Sequence, residues 1–429
     1  MITEARLYVQ TELHKGQRKA CYMRAVLCIG RLKSPIFTAE FRHFMSLPSK
    51  TIHMIAPVSA IHCRTRLVKQ AYVMQQNGIA LQFFGWERQA GEAGKAGDRN
   101  TDVVEKIILR GGGYGSRLTH LFYMLWMTRV FFKALKLPKG ANVLCLGFET
   151  AFPVVLVSRF RRINVVFDDA DRFSMILSLP GPLNRLMQGL EKWTSSHSAV
   201  HLIPGWTRYD WKASSMKLLR NSPNLADFES AKKLANKRAD GAPFTLYANG
   251  WIGETRGAPI FLALMERLAG DDFLLKLIGR GDGDAYAKLV ELPNVEAQPE
   301  VPQSEALAAY LEVDLALTYY DPKVPINRQA ESNKWGDCVY LNVPFIVNSE
   351  VETAFDLVES GAAFAVPYDD VDALEVLVRS VAEQPEKLLQ YRQKIGALKE
   401  QFVPYDEAFE KILFSGQGAF IDAVNLTRK

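Results

Sequence analysis

The chain of 429 residues is long enough for two ordinary domains, and its 48% apolar content can build a core in each. With 11% aromatic and 23% charged residues it falls outside the disordered, collagen-like, low-complexity and coiled-coil classes. The net charge of +5 conceals an asymmetry: residues 1–240 carry 36 Lys/Arg against 17 Asp/Glu and residues 241–429 carry 16 against 30, which puts the halves at about +19 and −14. The basic half is expected to meet an anionic partner, a membrane surface or a nucleic acid, and the acidic half is not.

Residues 1–50 show no sustained period and are rich in Lys and Arg, so they are expected to form a basic extension outside the core fold, with Met45 or Met54 as possible starts. From Thr51 the pattern changes. TIHMIAPV reads as a strand, Arg66 to Gln76 as a helix ending near Asn77-Gly78, and IALQFFGW as a second strand. VVEKIIL (103–109), a long helix over 118–135, ANVLCLGF (141–148), a short helix through PVVLVSRF and the apolar strand INVVF closing in Asp168-Asp169-Ala170-Asp171 continue the series. Strands alternating with helices over this length predict a parallel sheet covered on both faces, a Rossmann-like domain over 51–224. The polar stretch 225–242 is expected to be a linker. A second series then runs over 243–400, through FTLYANG, PIFLALMERLA, FLLKLIG, NVEAQPE, LAAYL, VDLALTYY, CVYL and PFIVNS, and 401–429 is expected to be helical and to return to the first domain. The fold class is α/β, two doubly wound domains facing across a cleft, with ligands at the carboxyl ends of the strands.

Cys21, Cys28, Cys63, Cys145 and Cys338 are odd in number and contain no CxxC pair, which argues against a disulfide framework or a structural zinc site. The sequence also lacks the pattern of a signal peptide and any run of 18 apolar residues, so a cytoplasmic location is expected. The glycines of RGGGYG (110–115) are not followed by Lys-Ser/Thr, which excludes a Walker A loop.

Several segments carry chemistry. A nucleotide diphosphate needs cations and free backbone N–H groups, which a glycine turn at a helix start supplies, so Gly250, Arg256 and Gly257 form a candidate phosphate cradle. Lys334, beside Asn333, is a second point charge, and Asp337, about one helical turn on, is placed for ribose hydroxyls. Asp169-Ala170-Asp171 spells the DxD of metal-dependent transferases, but it lies away from these turns and no metal is expected. Around 118–135, Phe122, Tyr123, Trp126, Phe131 and Phe132 alternate with Arg129, Lys133 and Lys136, which suits either a helix at an anionic lipid surface or a core helix with a wet basic face.

NGWIGETRG (249–257), GRGDG (279–283), VDLALTYY and ESNKWGDCVYLNVPFIVNS (331–349) resemble segments of the GT-B family 4 glycosyltransferases. SAIHCRTRLVKQA (59–71), GFETAFPVVLV and INVVFDDADRFSMI resemble the inverting glucuronosyltransferases of bacterial exopolysaccharide (xanthan-type) assembly. The resemblance implies a GT-B enzyme moving a hexosyl or hexuronosyl unit from a nucleotide diphosphate sugar, UDP- or GDP-linked, to a lipid-linked or membrane-associated glycan in envelope or exopolysaccharide synthesis. It implies no cofactor besides the donor, no metal, and a place at the inner face of the cytoplasmic membrane. It adds Gly279, Arg280, Tyr319 and Tyr320 to the donor side and places His62, Arg64 and Arg66 on the acceptor side. Asp171 maps onto the group's catalytic base, with Asp168 and Asp169 as close competitors and Glu149, at the end of the preceding strand, as a further candidate. Departures from the patterns are Asp168 where the group has Arg, Asp337 in place of Glu, and Asn342-Val343-Pro344 without the usual glycine. Two alternatives stay open: a GT-B module that binds nucleotide sugar without turnover, and a nucleic-acid-binding protein using the basic half, against which stands the absence of any nucleic-acid motif.

Overall fold

A computed structural model describes residues 51–92, 103–113, 119–177, 179–239 and 241–414. The expectation for residues 1–50 therefore lies outside the described residues, as does most of 401–429 beyond Phe414.

Seven strands form the first sheet: β1 (Thr51–Ala56), β2 (Ala80–Glu87), β3 (Val104–Arg110), β4 (Ala141–Leu146), β5 (Ile163–Asp168), β6 (Val200–Ile203) and β7 (Met216–Leu218). Their order is β3-β2-β1-β4-β5-β6-β7 and the pairings are parallel. The second sheet has β8 (Phe244–Ile252), β9 (Phe273–Gly281), β10 (Val295–Gln298), β11 (Leu315–Thr318), β12 (Phe345–Asn348) and β13 (Ala363–Val366) in the order β10-β9-β8-β11-β12-β13, again parallel. Both are covered on two faces, which is why their central strands read as apolar runs such as ANVLCL and FIVN.

In each sheet the order reverses once, between β1 and β4 and between β8 and β11. At such a point the following loops run to opposite faces and leave a crevice beyond the strand ends. The loops after β6 and β7 meet the segment after β11: the Arg208 side chain reaches the Gln329 carbonyl, and the Asn221 amide donates to the Glu331 carbonyl at 2.7 Å. The carboxyl ends of the two sheets thus share one cleft.

Some elements differ from the sequence reading. Strand β5 stops at Asp168, so Asp169 and Asp171 lie in the loop beyond it. The helix expected from Pro153 starts at Phe148 and carries that proline inside. Residues 225–242 were read as a linker without period, yet Leu225–Leu234 is a helix whose Phe228 and Ala231 are buried in the second core. Apolar residues at 225, 228, 231 and 234 recur every three positions, and Asp227 and Lys232 and Lys233 complement the helix dipole. Helix Gly181–His197 and strands β6, β7 and β13 are additional to the sequence reading. Finally, Tyr405–Phe414 packs Tyr405, Phe409 and Leu413 into the first domain's core beside Leu67 and Ala71.

Candidate functional site

The second domain's crevice lies between the loops after β8 and β11. Gly257, with φ of +91°, begins the helix Ala258–Arg267; a Cβ there would stand 2.6 Å from the Phe261 ring and 2.9 Å from Tyr319 Cβ, so only glycine fits. Arg256 precedes it, and its guanidinium lies over the Tyr320 ring at 4.7 Å. Lys334, at the start of helix Asn333–Leu341, comes within 5.8 Å of the same ring. Ser332 caps that helix by accepting from the Lys334 N–H at 3.2 Å, and the Tyr320 hydroxyl donates to Ser332. Among the described residues neither Arg256 nor Lys334 is paired with a carboxylate. Burial pushes the Tyr320 hydroxyl up, but Lys334, Arg256 and the Ser332 hydrogen bond outweigh it and the net shift is downward. Two cations without counter-ions at a switch point, each next to a helix start, can hold a diphosphate.

Other residues assigned to the donor side sit elsewhere. Gly250 is within β8, paired with Gly279 of β9, and a Cβ on Gly279 would collide with the Gly250 carbonyl; the two glycines let the strand ends pack and do not form the turn. Arg280 pairs on the surface with Glu300. Tyr319 is a buried core residue against Phe261 and Tyr368. Asn333 is exposed at the helix start. Asp337 is buried on the inner face of its helix, where burial pushes its carboxyl up to about 6 against the pull of Lys69 and Lys334, and its Oδ1 has no hydrogen-bond partner.

On the first domain, His62 and Arg64 follow β1 and Glu149 follows β4, so the three flank the other switch point. Glu149 folds back over Gly147 and is buried, which pushes its carboxyl up to about 7 despite Arg88 and Arg64 nearby. Arg66 does not reach this crevice. Its Nε donates to both oxygens of Asp168 at 2.7 and 2.8 Å, and its Nη1 donates to Asn221 Oδ1 at 2.8 Å. Gln70 Nε2 adds a bond to Asp168 at 2.6 Å and another to the Tyr405 hydroxyl at 2.9 Å. Burial drives the Asp168 carboxyl up, and the Arg66 cation and Gln70 hydrogen bond offset this only in part, whereas for Arg66 the neighbouring Asp168 outweighs burial and holds the guanidinium above its ordinary value. The pair is a buried tie among helix Thr65–Gln76, β5 and the returning helix, with the Asp168 carboxylate turned to Arg66 and Gln70 and fully buried.

Asp169 is also buried. It accepts from the Tyr209 hydroxyl at 2.8 Å and lies 3.7 Å from His201. Asp171 is the exception, with 47% of its side chain exposed and Arg208 at 3.5 Å. The two carboxylates of the DxD therefore turn to different partners, and among the described residues no group of three His, Cys, Asp or Glu is placed to hold a metal ion. Sequence reasoning missed Arg208 and Glu331. The first follows the short apolar run VHLI, which was the available signal; the second shows its importance only through Gly205, whose Cβ would collide with the Glu331 carboxylate.

The helix Thr119–Leu135 divides as follows. Trp126 and Val130 are buried and Phe122, Tyr123 and Phe131 pack on the core, whereas Leu121, Met124 and Phe132 are 63%, 62% and 55% exposed beside exposed Arg129 and Lys136. Among the described residues no helix is long and apolar enough to cross a membrane.

No protein-family model matches the chain, and no curated protein matches it in sequence. Solved structures do. Sucrose-phosphate synthase from Thermosynechococcus elongatus superimposes with a TM-score of 0.56 at 13% identity, over 88% of this chain and 98% of that one. Anabaena HepE in complex with UDP-glucose gives 0.59 at 10% identity, over 88% and 99%. The UDP-forming α,α-trehalose-phosphate synthase of Burkholderia vietnamiensis gives 0.57 at 10% identity, over 88% and 100%. At these identities the likeness concerns the fold, and together with the paired parallel sheets it establishes that this chain has the two-domain, Rossmann-like GT-B fold.

Proposed function

We propose that the protein is a glycosyltransferase that takes its sugar from a nucleotide diphosphate donor. The observation that carries this reading is the convergence of Arg256 and Lys334 on Tyr320 at the β8/β11 switch point. Donors would bind the second domain through the diphosphate. Asp171 would take the proton of the acceptor hydroxyl in an inverting transfer, a contribution typically worth about 10²–10⁴ in rate. His62, Arg64 and Glu149 would line the acceptor side. Since the diphosphate finds its cations in Arg256 and Lys334, the reading includes no metal and no further cofactor. The structural neighbours support it: HepE is in complex with UDP-glucose, and the trehalose-phosphate synthase is UDP-forming.

The finer reading is a lipid-linked or membrane-associated glycan acceptor, with the protein peripheral to the cytoplasmic membrane. Its support is a rim of exposed apolar side chains. Leu121 and Met124 start one helix and Leu183 and Leu186 start another. Exposed Arg129 and Arg185 lie on the same two helices, the combination of apolar and basic side chains that suits an anionic lipid surface.

Calorimetric titration with UDP, GDP and their sugars tests the donor site. The wild type is expected to bind one nucleotide series, and Arg256→Ala and Lys334→Ala each to lose roughly tenfold or more in affinity, as removal of a charge-assisted contact implies. Unchanged affinity in both variants would remove the site.

A further inference from the structure

Arg208 is a buried side chain that touches both domains. Its Nε donates to the Gln329 carbonyl at 2.5 Å, in the second domain, four residues before Asn333. Its Nη1 donates to the Ala170 carbonyl at 2.6 Å and lies 3.5 Å from Asp171 Oδ1. The Arg208 carbonyl in turn accepts from Arg172 Nη1 at 2.6 Å, and Arg172 is held by Glu191 at 3.0 Å. Glu191 accepts from the backbone and hydroxyl of Ser174, both at 2.8 Å, so the loop carrying Asp171 is fastened on its far side as well. A planar guanidinium meets two carbonyls only in a fixed relative geometry, so these contacts set the Asp171 loop against the Gln329 segment.

The donor helix is tied to the first domain at the same place. Glu331 lies over Gly205, and its carbonyl accepts from Asn221. Residues 329–331 are thus bonded to the first domain immediately before Ser332 caps the helix that carries Lys334.

We propose that Arg208 is a positioning residue that couples occupancy of the diphosphate site to the placement of Asp171. This rests on the donor-site reading above. A nucleotide that draws Lys334 and its helix start toward the diphosphate moves the Gln329 carbonyl with them, and Arg208 passes that displacement to Ala170 and Asp171, which no nucleotide on the second domain needs to touch.

Hydrogen exchange followed by mass spectrometry on the full chain, with and without saturating UDP and in a second arm GDP, tests it. In the wild type, nucleotide should slow exchange in peptides covering 327–334, and also in 168–175 by roughly fivefold or more, the lower range of ordinary coupling between sites. In Arg208→Gln the protection at 327–334 should remain while that at 168–175 falls below about twofold; Arg208→Lys, which keeps the charge and part of the donor set, should retain an intermediate effect. A purely structural Arg208 would instead raise exchange at 168–175 equally with and without nucleotide. Protection confined to 327–334 in the wild type, or undiminished at 168–175 in Arg208→Gln, overturns the proposal. Absence of protection at 327–334 with either nucleotide is a different failure, that of the donor site itself, and the coupling falls with it.

Discussion

Replacing Asp168 by Asn separates a structural carboxylate from a chemical one. The side chains of Arg66 and Asp168 are 7% and 0% exposed. Neutralising the acid leaves a guanidinium buried without its counter-charge, a change that costs about 3–5 kcal/mol when one partner of a buried pair is lost. Asparagine keeps one oxygen for the Arg66 Nε–H, which points to the lower part of that range. For a domain of this size each kcal/mol moves Tm by roughly 2–4 °C, so Asp168→Asn should unfold about 6–12 °C below the wild type. Asp171→Asn offers the contrast. Its exposed side chain makes a 3.5 Å contact with Arg208, and an ion pair open to water contributes at most about 1 kcal/mol. Its Tm should fall by no more than about 4 °C, while transfer from the nucleotide sugar drops by about two to four orders of magnitude. Thermal unfolding followed by circular dichroism at pH 7, with nucleotide release as the activity readout, measures both. An Asp168→Asn protein that melts within 2 °C of wild type while losing transfer would refute the reasoning and return Asp168 to the chemistry.

Glu149 gives a pH-dependent prediction. Its carboxyl rises from 4.5 to about 7 on burial, so its contribution to stability is full below pH 4.5 and is lost as pH rises through 7. That shift corresponds to roughly 3 kcal/mol, so Glu149→Gln should be more stable than wild type in urea at pH 8.5 and indistinguishable at pH 4; equal differences at both pH values would count against it. Gly257→Ala forces a Cβ onto Phe261 and Tyr319 at a φ of +91° and should cost about 1–3 kcal/mol in urea unfolding while weakening nucleotide binding. Leu121→Asp with Met124→Asp should abolish sedimentation with anionic vesicles without lowering Tm by more than about 2 °C, since both side chains face water. Wild-type binding that is the same on neutral vesicles, or that does not weaken with salt, would contradict a basic apolar rim.

The strands of both sheets were legible because a parallel strand buried on two faces must be apolar throughout, and INVVF or FIVN can be little else. Strands β6, β7 and β13 were not: all three are short, and the first two carry His201 and Lys217. His201 is nonetheless buried, stacked on Phe167 at 4.3 Å, an environment created by a neighbouring strand. The same division runs through the site. Arg256 and Lys334, which the structure brings to the Tyr320 ring, and Gly257 at its helix start were singled out by local turn chemistry. Three aspartates within four residues could not be told apart, because what distinguishes Asp168 is Arg66, 102 positions upstream, and what distinguishes Asp169 is Tyr209, 40 positions downstream. Asp337 was placed at the ribose by helical spacing, but the facing Lys69 comes from the other domain.

The returning helix Tyr405–Phe414 has a consequence for synthesis. The first sheet leaves the ribosome by residue 218, yet the face of helix Thr65–Gln76 that holds Leu67 and Ala71 is covered by Tyr405, Phe409 and Leu413. Until those residues emerge, Gln70 lacks the Tyr405 hydroxyl and the Arg66 tie is open on one side. The second domain can therefore complete its own core while the first still waits with an uncovered apolar face, an inversion of the usual N-terminal-first order. Tyr405 also donates its backbone N–H to the Pro223 carbonyl at 3.0 Å, so the last helix docks against the stretch where the chain first left that domain. A chain truncated after Pro404 retains every buried residue of the second domain's clusters and leaves the Leu67 and Ala71 face of the first domain uncovered.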